Sequence, residues 1–127
     1  MKLLVNRTDN VKVIVYCWEA EGEIEATHIK SEVPKNVEAE EVEFIFRKPG
    51  YADSNIIIRN SNFKMDGEDT TLNVTSFQDN VLRALLIDSN MKDEDGQKIP
   101  INSVTINNLV PAIARSAVSG VLDHVRL

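Results

Sequence analysis

The feature that most constrains this chain is the apolar segment near its C-terminal end, residues 109–125. Placed on a helix at about 100° per residue, its aliphatic side chains form two adjacent ridges. The ridges consist of Leu109, Ile113, Ala117, Val121 and Val125, and of Val110, Ala114, Val118 and Leu122. Together they cover an arc of roughly 220°, whereas a helix that faces one core needs about 100°. The segment therefore predicts a helix that is either wrapped by its own domain or leaves apolar surface for a partner.

The first part of the chain is predicted to form strands. β-Branched and aromatic residues alternate with other residues over 11–18 and again over 42–47, as in strands that pack on at least one face. Residues 24–33 predict a more polar edge strand that stops at Pro34, because proline cannot donate to a neighbouring strand. Residues 1–48 are therefore expected to form a small antiparallel β module.

Pro49 and Gly50 break the strand pattern, and residues 49–127 are predicted to be mainly helical. The elements expected are a helix over 51–60, a polar loop over 65–69, a helix over 75–90, a turn over 93–96, an extended piece over 98–101 and the terminal helix. Thr75 and Gln78 have the spacing of a capping box at the start of the second helix. Pro111 suits the first turn of the terminal helix. The expected fold is α+β, one domain over residues 1–127.

Composition excludes several classes of function. The net charge of -6 and the pI near 4.9 argue against a nucleic-acid partner, because phosphate neutralisation requires clustered Lys and Arg. No stretch approaches the roughly 20 apolar residues of a membrane span, so no membrane partner is expected. Cys17 is the only cysteine, which precludes an intrachain disulfide and favours a reducing compartment. We therefore expect a cytoplasmic protein.

No pattern of residues predicts a catalytic, metal or cofactor site. His28 and His124 have no partner at a known ligand spacing, and Cys17 is expected to be a small buried thiol. Residues 88–96 are acidic but lack the first and last ligands of a calcium loop, so a solvated Asp-Gly turn is the better interpretation. Without a convergent acid, base or nucleophile, we expect a protein that is not an enzyme.

Ala112, Ser116 and Gly120 form a row of small residues at every fourth position beside the apolar arc. Such a row permits close approach of another element. The row is expected to pack against the helix predicted over 75–90, within the same domain; the alternative is a contact seam for another chain.

From Phe44 onward the chain resembles the small tail assembly chaperones of tailed bacteriophages. The similar features are a strand that runs into a basic pair and Pro49, a short segment that begins at Tyr51, and an apolar helix over 81–87. They continue with the acidic Asp-Gly turn over 93–96 and with Ile99-Pro100, which leads into Leu109-Val110-Pro111 and a terminal helix. The similarity covers roughly the last two thirds of the chain and is one of layout. Residues 1–43 have no counterpart in it.

The resemblance implies a non-enzymatic protein of phage tail morphogenesis that acts in the cytoplasm of the infected host cell. Such chaperones bind the tape-measure protein and keep its apolar helices from aggregating until the tail tube polymerises around it. The residues predicted to contact the partner are Leu109, Ile113, Val118, Val121, Leu122 and Val125. The alternative is a structural subunit of a tail, neck or baseplate, which would form homo-oligomers and remain in the virion.

Overall fold

The structure is a computed structural model that describes residues 1–61, 64–66, 69–71 and 73–127, and the side chains of 1–61 and 73–127. Its strands are β1 (Asn10–Ala20), β2 (Glu23–Thr27), β3 (Glu40–Arg47), β4 (Lys64–Asp66), β5 (Asp69–Thr71) and β6 (Leu86–Ser89). Its helices are α1 (Tyr51–Arg59), α2 (Val74–Leu85), α3 (Ser103–Asn107) and α4 (Pro111–Leu122), with a short 3-10 helix at Lys30–Glu32. The predicted α+β class is confirmed, although β4, β5 and β6 lie between helices instead of preceding them.

The main sheet is antiparallel, in the order β2-β1-β3-β6. β1 and β3 are its central strands, with Val13 opposite Phe44 and Val15 opposite Val42. Because side chains alternate along a strand, this register places the odd-numbered residues of β1 and the even-numbered residues of β3 on one face. That face, called here the inner face, carries the helices.

The core lies between the inner face and the helical layer. α4 packs on β1 and β2, and α2 packs on α1, α3, α4 and β6. Leu85 and Val81 of α2 and Val118 and Val121 of α4 are almost completely inaccessible to solvent. These helices bury the apolar side chains of the inner face, which are Val11, Val13, Val15, Phe44 and Phe46. A single helical layer on one side of a sheet is the arrangement expected of an α+β domain.

The other face of the sheet, called here the outer face, carries Ile14, Tyr16 and Trp18 of β1. These side chains are half-buried, and none belongs to the core or packs against it. Exposed carboxylates lie beside the two aromatic side chains on the neighbouring strands: Glu41 of β3 is opposite Tyr16, and Glu25 of β2 is opposite Trp18. The sheet thus separates an aliphatic interior from an aromatic and acidic surface.

The helix predicted over 75–90 differs at both ends. α2 begins at Val74 and is capped by Asn73, whose side chain accepts a hydrogen bond of 3.0 Å from the Ser76 amide. Thr75 is therefore within the first turn and is not the cap. At the other end the helix stops at Leu85 and the chain continues as β6, where buried Leu86 lies opposite Phe46. The helical spacing of apolar residues could have continued past Leu85, but pairing with β3 makes this segment a strand.

Other elements also have bounds that differ from the predicted ones. The second strand ends at Thr27, and part of the remaining predicted strand forms the 3-10 helix. In the segment predicted as a loop, residues 65, 66 and 69 belong to the paired strands β4 and β5, while 67 and 68 lie outside the described residues. The helices predicted over 51–60 and in the terminal segment are confirmed, with Pro111 in the first turn of α4 as expected.

Candidate protein-binding surface

The six residues predicted to contact a partner occupy two different environments. Val118 is 1% exposed, Val121 is 0% exposed and Val125 is 9% exposed, so all three belong to the core of the chain itself. Leu109, Ile113 and Leu122 are half-buried. Val118, Val121 and Val125 therefore pack within the chain, and the apolar surface that remains on the terminal segment comes from Leu109 and Ile113 in its first half and from Leu122 in its second.

Gly120 explains why the second half of α4 fits so closely on the sheet. A Cβ atom built at Gly120 would overlap Val13 Cγ1 and would lie 3.3 Å from His28 Cβ. The small residue thus serves packing within the chain, as the first of the two alternatives held. The neighbour is the inner face of the sheet, however, and not α2.

The first half of α4 borders an open apolar groove of about 380 Å³. Its walls come from the hairpin after β6, from α3, and from the start of α4. The lining residues are Met91, Ile99, Val104, Thr105, Asn108, Leu109, Val110 and Ile113. Val104 is 69% exposed at the mouth of the groove, and Leu109 and Ile113 were predicted as contact residues.

Both polar side chains of the groove are already engaged with the chain's own backbone. Thr105 Oγ1 donates to the Pro100 carbonyl at 2.7 Å, and Asn108 Nδ2 donates to the Val104 carbonyl at 2.8 Å. The groove therefore offers a ligand aliphatic contact more than hydrogen bonding. An aliphatic side chain is the ligand chemistry that fits such a lining.

Local sequence signals position the groove. Asn102 caps α3 through a 3.0 Å hydrogen bond from the Thr105 amide to its side chain, and Pro111 occupies the start of α4. On the opposite wall, the Ile99 amide donates to the Met91 carbonyl at 2.9 Å, which closes the hairpin around the turn over 93–96. α3 was missed by the sequence reasoning, although Asn102 three residues before Thr105 is a recognisable helix start.

The turn over 93–96 is held by its own aspartate, as predicted. Asp93 Oδ1 accepts hydrogen bonds from the amides of Asp95 and Gln97, each at 2.9 Å. Gly96 has a φ of 78°, which glycine adopts without strain. The aspartate therefore stabilises a turn, as in an Asx-turn.

The histidines and the cysteine are in ordinary structural roles. His28 Nε2 lies 2.8 Å from Asp123 Oδ2 and ties the end of β2 to the end of α4. His124 is exposed and lies just beyond α4. Cys17 is buried, as predicted, and burial raises the pKa of its thiol, with a smaller contribution from Glu40. A raised thiol pKa lowers the thiolate fraction and therefore the reactivity.

A bidentate ion pair lies away from the groove. Arg47 donates two hydrogen bonds to Asp53, at 2.6 and 2.8 Å, and a third of 3.1 Å to the carbonyl of Ala84. The link joins β3, α1 and α2. The hydrogen bonds from Arg47 lower the pKa of Asp53, and the Gly50 amide adds to the effect.

Within the described ranges, no group of three or more His, Cys, Asp or Glu side chains is arranged to hold a metal ion. Among the same residues, the longest helices have 12 residues, and none is long and apolar enough to cross a membrane. Comparison of the chain with known protein families, with characterised proteins and with solved structures finds no match. The groove beside α4, with its mainly aliphatic lining, is the candidate protein-binding site.

Proposed function

We propose that this chain is a non-enzymatic protein of phage tail morphogenesis, a tail assembly chaperone that binds apolar helices of the tape-measure protein. The single observation that carries the proposal is the apolar groove beside the first half of α4, with Val104 at its mouth and with both polar lining side chains hydrogen-bonded to the chain's own backbone. An amphipathic helix presents aliphatic side chains in rows three or four residues apart, and an open aliphatic groove can receive one such row.

The bound segment would be protected from aggregation in proportion to the apolar area removed from water. Each square ångström of apolar surface buried is worth about 25 cal/mol, so a few aliphatic side chains suffice for weak, reversible binding. Weak binding suits a chaperone, since its client must leave when the tail tube forms. The proposed place of action is the cytoplasm of the infected host cell.

The test uses Val104, because its exposure allows substitution without loss of the fold. The chain and the tape-measure protein are co-expressed with one tag, and the complex is recovered and identified by mass. We expect Val104→Asp to reduce recovery of the tape-measure protein about tenfold or more, since a carboxylate in an aliphatic contact must be desolvated. Val74→Asp is the matched control, because Val74 is a valine 62% exposed in the first turn of another helix.

Equal recovery by both variants would contradict the groove as the binding site. Failure of the unsubstituted chain to recover the tape-measure protein would contradict the chaperone proposal itself. A chaperone is also expected to be absent from finished particles, which mass spectrometry of purified virions would check.

A second candidate function is a structural subunit of a tail, neck or baseplate. The observation that favours it is the apolar segment before β1, in which Leu3 and Leu4 are 81% and 79% exposed. An exposed apolar arm can be covered by a neighbouring copy in an assembly. In this case, Leu3→Asp with Leu4→Asp would dissociate an oligomer detected by analytical ultracentrifugation, and the chain would be found in virions.

A further inference from the structure

The outer face of the sheet carries large apolar side chains, none of which lines the proposed groove. Ile14, Tyr16 and Trp18 lie along β1 on this face and remain half-buried although no core residue packs on them. Ile45 of β3 continues the apolar row on the neighbouring strand. A sheet face with large aromatic and aliphatic side chains outside the core is typical of an interaction surface.

Each aromatic ring on this face has a carboxylate beside it. Glu41 is the cross-strand neighbour of Tyr16, and Glu25 that of Trp18. Directly opposed residues of antiparallel strands have Cβ atoms about 5 Å apart. Both glutamates are exposed, and neither forms an ion pair with another residue of the described part of the chain.

The cationic side chains of the face are paired, whereas Glu23, exposed on the same face opposite Ala20, forms no ion pair among the described residues. Lys12 pairs with Glu43 at 3.6 Å, Lys98 with Asp88 at 2.8 Å, and Arg47 with Asp53. Glu32, at the border of the face, accepts a hydrogen bond of 3.0 Å from Thr27. The uncompensated charge next to the aromatic rings is therefore negative.

We infer that the outer face of the sheet is a second docking surface, which receives a helix of a partner protein that carries two cationic side chains one turn apart. An arginine or lysine beside Tyr16 or Trp18 would meet a ring face and a carboxylate together, which combines cation–π attraction with an ion pair. Two positions further along a strand lie about 7 Å away, and residues four apart on a helix are separated by about 6 Å. The spacings match.

Charge also decides between occupants. A second copy packed face to face would bring Glu25 and Glu41 against the same residues of its partner, and like charges held close together disfavour association. A nucleic acid would be repelled by the same carboxylates. A cationic helix is attracted by them, and it would lie on the outer face of the sheet as α4 lies on the inner face.

Trp18 provides the measurement, because it is the only tryptophan of the chain. Its fluorescence is followed while a helical peptide of alanine, leucine and glutamine that carries two arginines four residues apart is added to the full chain. The same peptide with glutamine, or with glutamate, in place of both arginines is the control. We expect a saturable change in Trp18 emission with the arginine peptide alone, weakened by added salt.

Matched variants identify the face. Glu25→Gln combined with Glu41→Gln should weaken binding of the arginine peptide about tenfold, through loss of both ion pairs. Glu94→Gln combined with Asp95→Asn removes the same charge from exposed residues of the turn after β6, beyond the other edge of the sheet from Glu25, and should change binding less than about twofold. Val104→Asp should leave peptide binding unchanged, which separates this surface from the groove.

Equal weakening by both pairs of substitutions would overturn the proposal in favour of attraction to net charge. Equal binding of the glutamine peptide would overturn the cationic specificity. A shift of Trp18 emission with the concentration of the protein alone would assign the face to a second copy of this chain.

Discussion

The two halves of α4 are similar in composition and opposite in surroundings. In the first half, Ile113 and Ala112 are half-buried and line open grooves. In the second half, Ala117, Val118, Gly120 and Val121 are buried against the sheet. The difference lies in what the helix packs on, since Gly120 lets the second half approach Val13 while the first half borders α3, the hairpin after β6 and the start of β2.

The grooves on either side of the first half make the contrast sharper. Besides the groove of about 380 Å³ next to α3, a second one of about 460 Å³ lies on the other side, between the start of α4 and the end of the β1-β2 hairpin. Val110 lines both. A wide apolar arc in a sequence therefore measures how much apolar surface a helix has, and tertiary position decides which part of it remains available.

The largest effect is expected from a charge in the buried half. Val118→Asp places a carboxylate where the native side chain is 1% exposed, so we expect a loss of about 4 kcal/mol or more in the free energy of unfolding. Val104→Asp, at an exposed site, should change it by less than about 0.5 kcal/mol. Urea unfolding followed by circular dichroism measures both. If the Val118→Asp variant is as stable as the unsubstituted chain but no longer binds the partner, Val118 belongs to the contact surface and not to the core.

A smaller effect is expected where the backbone of α4 touches the sheet. Replacing glycine by alanine within a helix normally stabilises it by about 1 kcal/mol. At Gly120 the added methyl group would overlap Val13, so we expect Gly120→Ala to destabilise the domain by about 1–3 kcal/mol instead. Ser119→Ala, on the exposed side of the same turn, should be neutral or slightly stabilising by thermal unfolding. A stabilised Gly120→Ala variant would show that Val13 moves to accommodate the added methyl group.

The sequence predicted the parts of the fold that have a strong period. The alternation over 42–47 and the ridges of the terminal segment gave β3 and α4 because side-chain periodicity is a local property. The sequence did not predict β6, because its Leu86 continues the helical spacing of α2 and is assigned to a strand only by its partner Phe46. Pairing between residues 40 positions apart has no local signal.

The candidate site, like the fold, contains residues with a local sequence signal and residues whose position depends on tertiary structure. Helical spacing marked all six predicted contact residues alike. Only the assembled domain separates Leu109 and Ile113, which line the groove, from Val118, Val121 and Val125, which are buried. The opposite wall of the groove, Met91 and Ile99, depends on a hairpin closed by backbone hydrogen bonds. Which of two similar aliphatic rows is covered is a property of the assembled domain and could not be inferred from spacing.

A link remote from α4 serves as a reference for the polar contribution to stability. Asp53→Asn should cost about 1–2 kcal/mol, because Asp53 and Arg47 are only 19% and 31% exposed at their side chains. Since the hydrogen bonds from Arg47 hold the pKa of Asp53 below its ordinary value of 3.8, this stability is fully present above pH 3.8 and is lost as the pH falls through the lowered pKa. Urea midpoints of the two proteins between pH 2 and 6 should therefore converge toward the acid end. A difference that stays constant with pH would contradict the ionic origin.

The smallest effect is expected at the tie between the buried end of α4 and β2. Asp123 hydrogen-bonds to His28 at 2.8 Å, but its side chain is 64% exposed, and exposed links of this kind contribute little. We expect Asp123→Asn to lower the free energy of unfolding by less than about 0.5 kcal/mol. If packing at Val118 and Gly120 holds this end, amide hydrogen exchange in the second half of α4 should be nearly unchanged in the variant. Faster exchange confined to that half would mean that the polar tie holds the helix to the sheet, and the contrast between the two halves would then rest on Asp123 as much as on apolar burial.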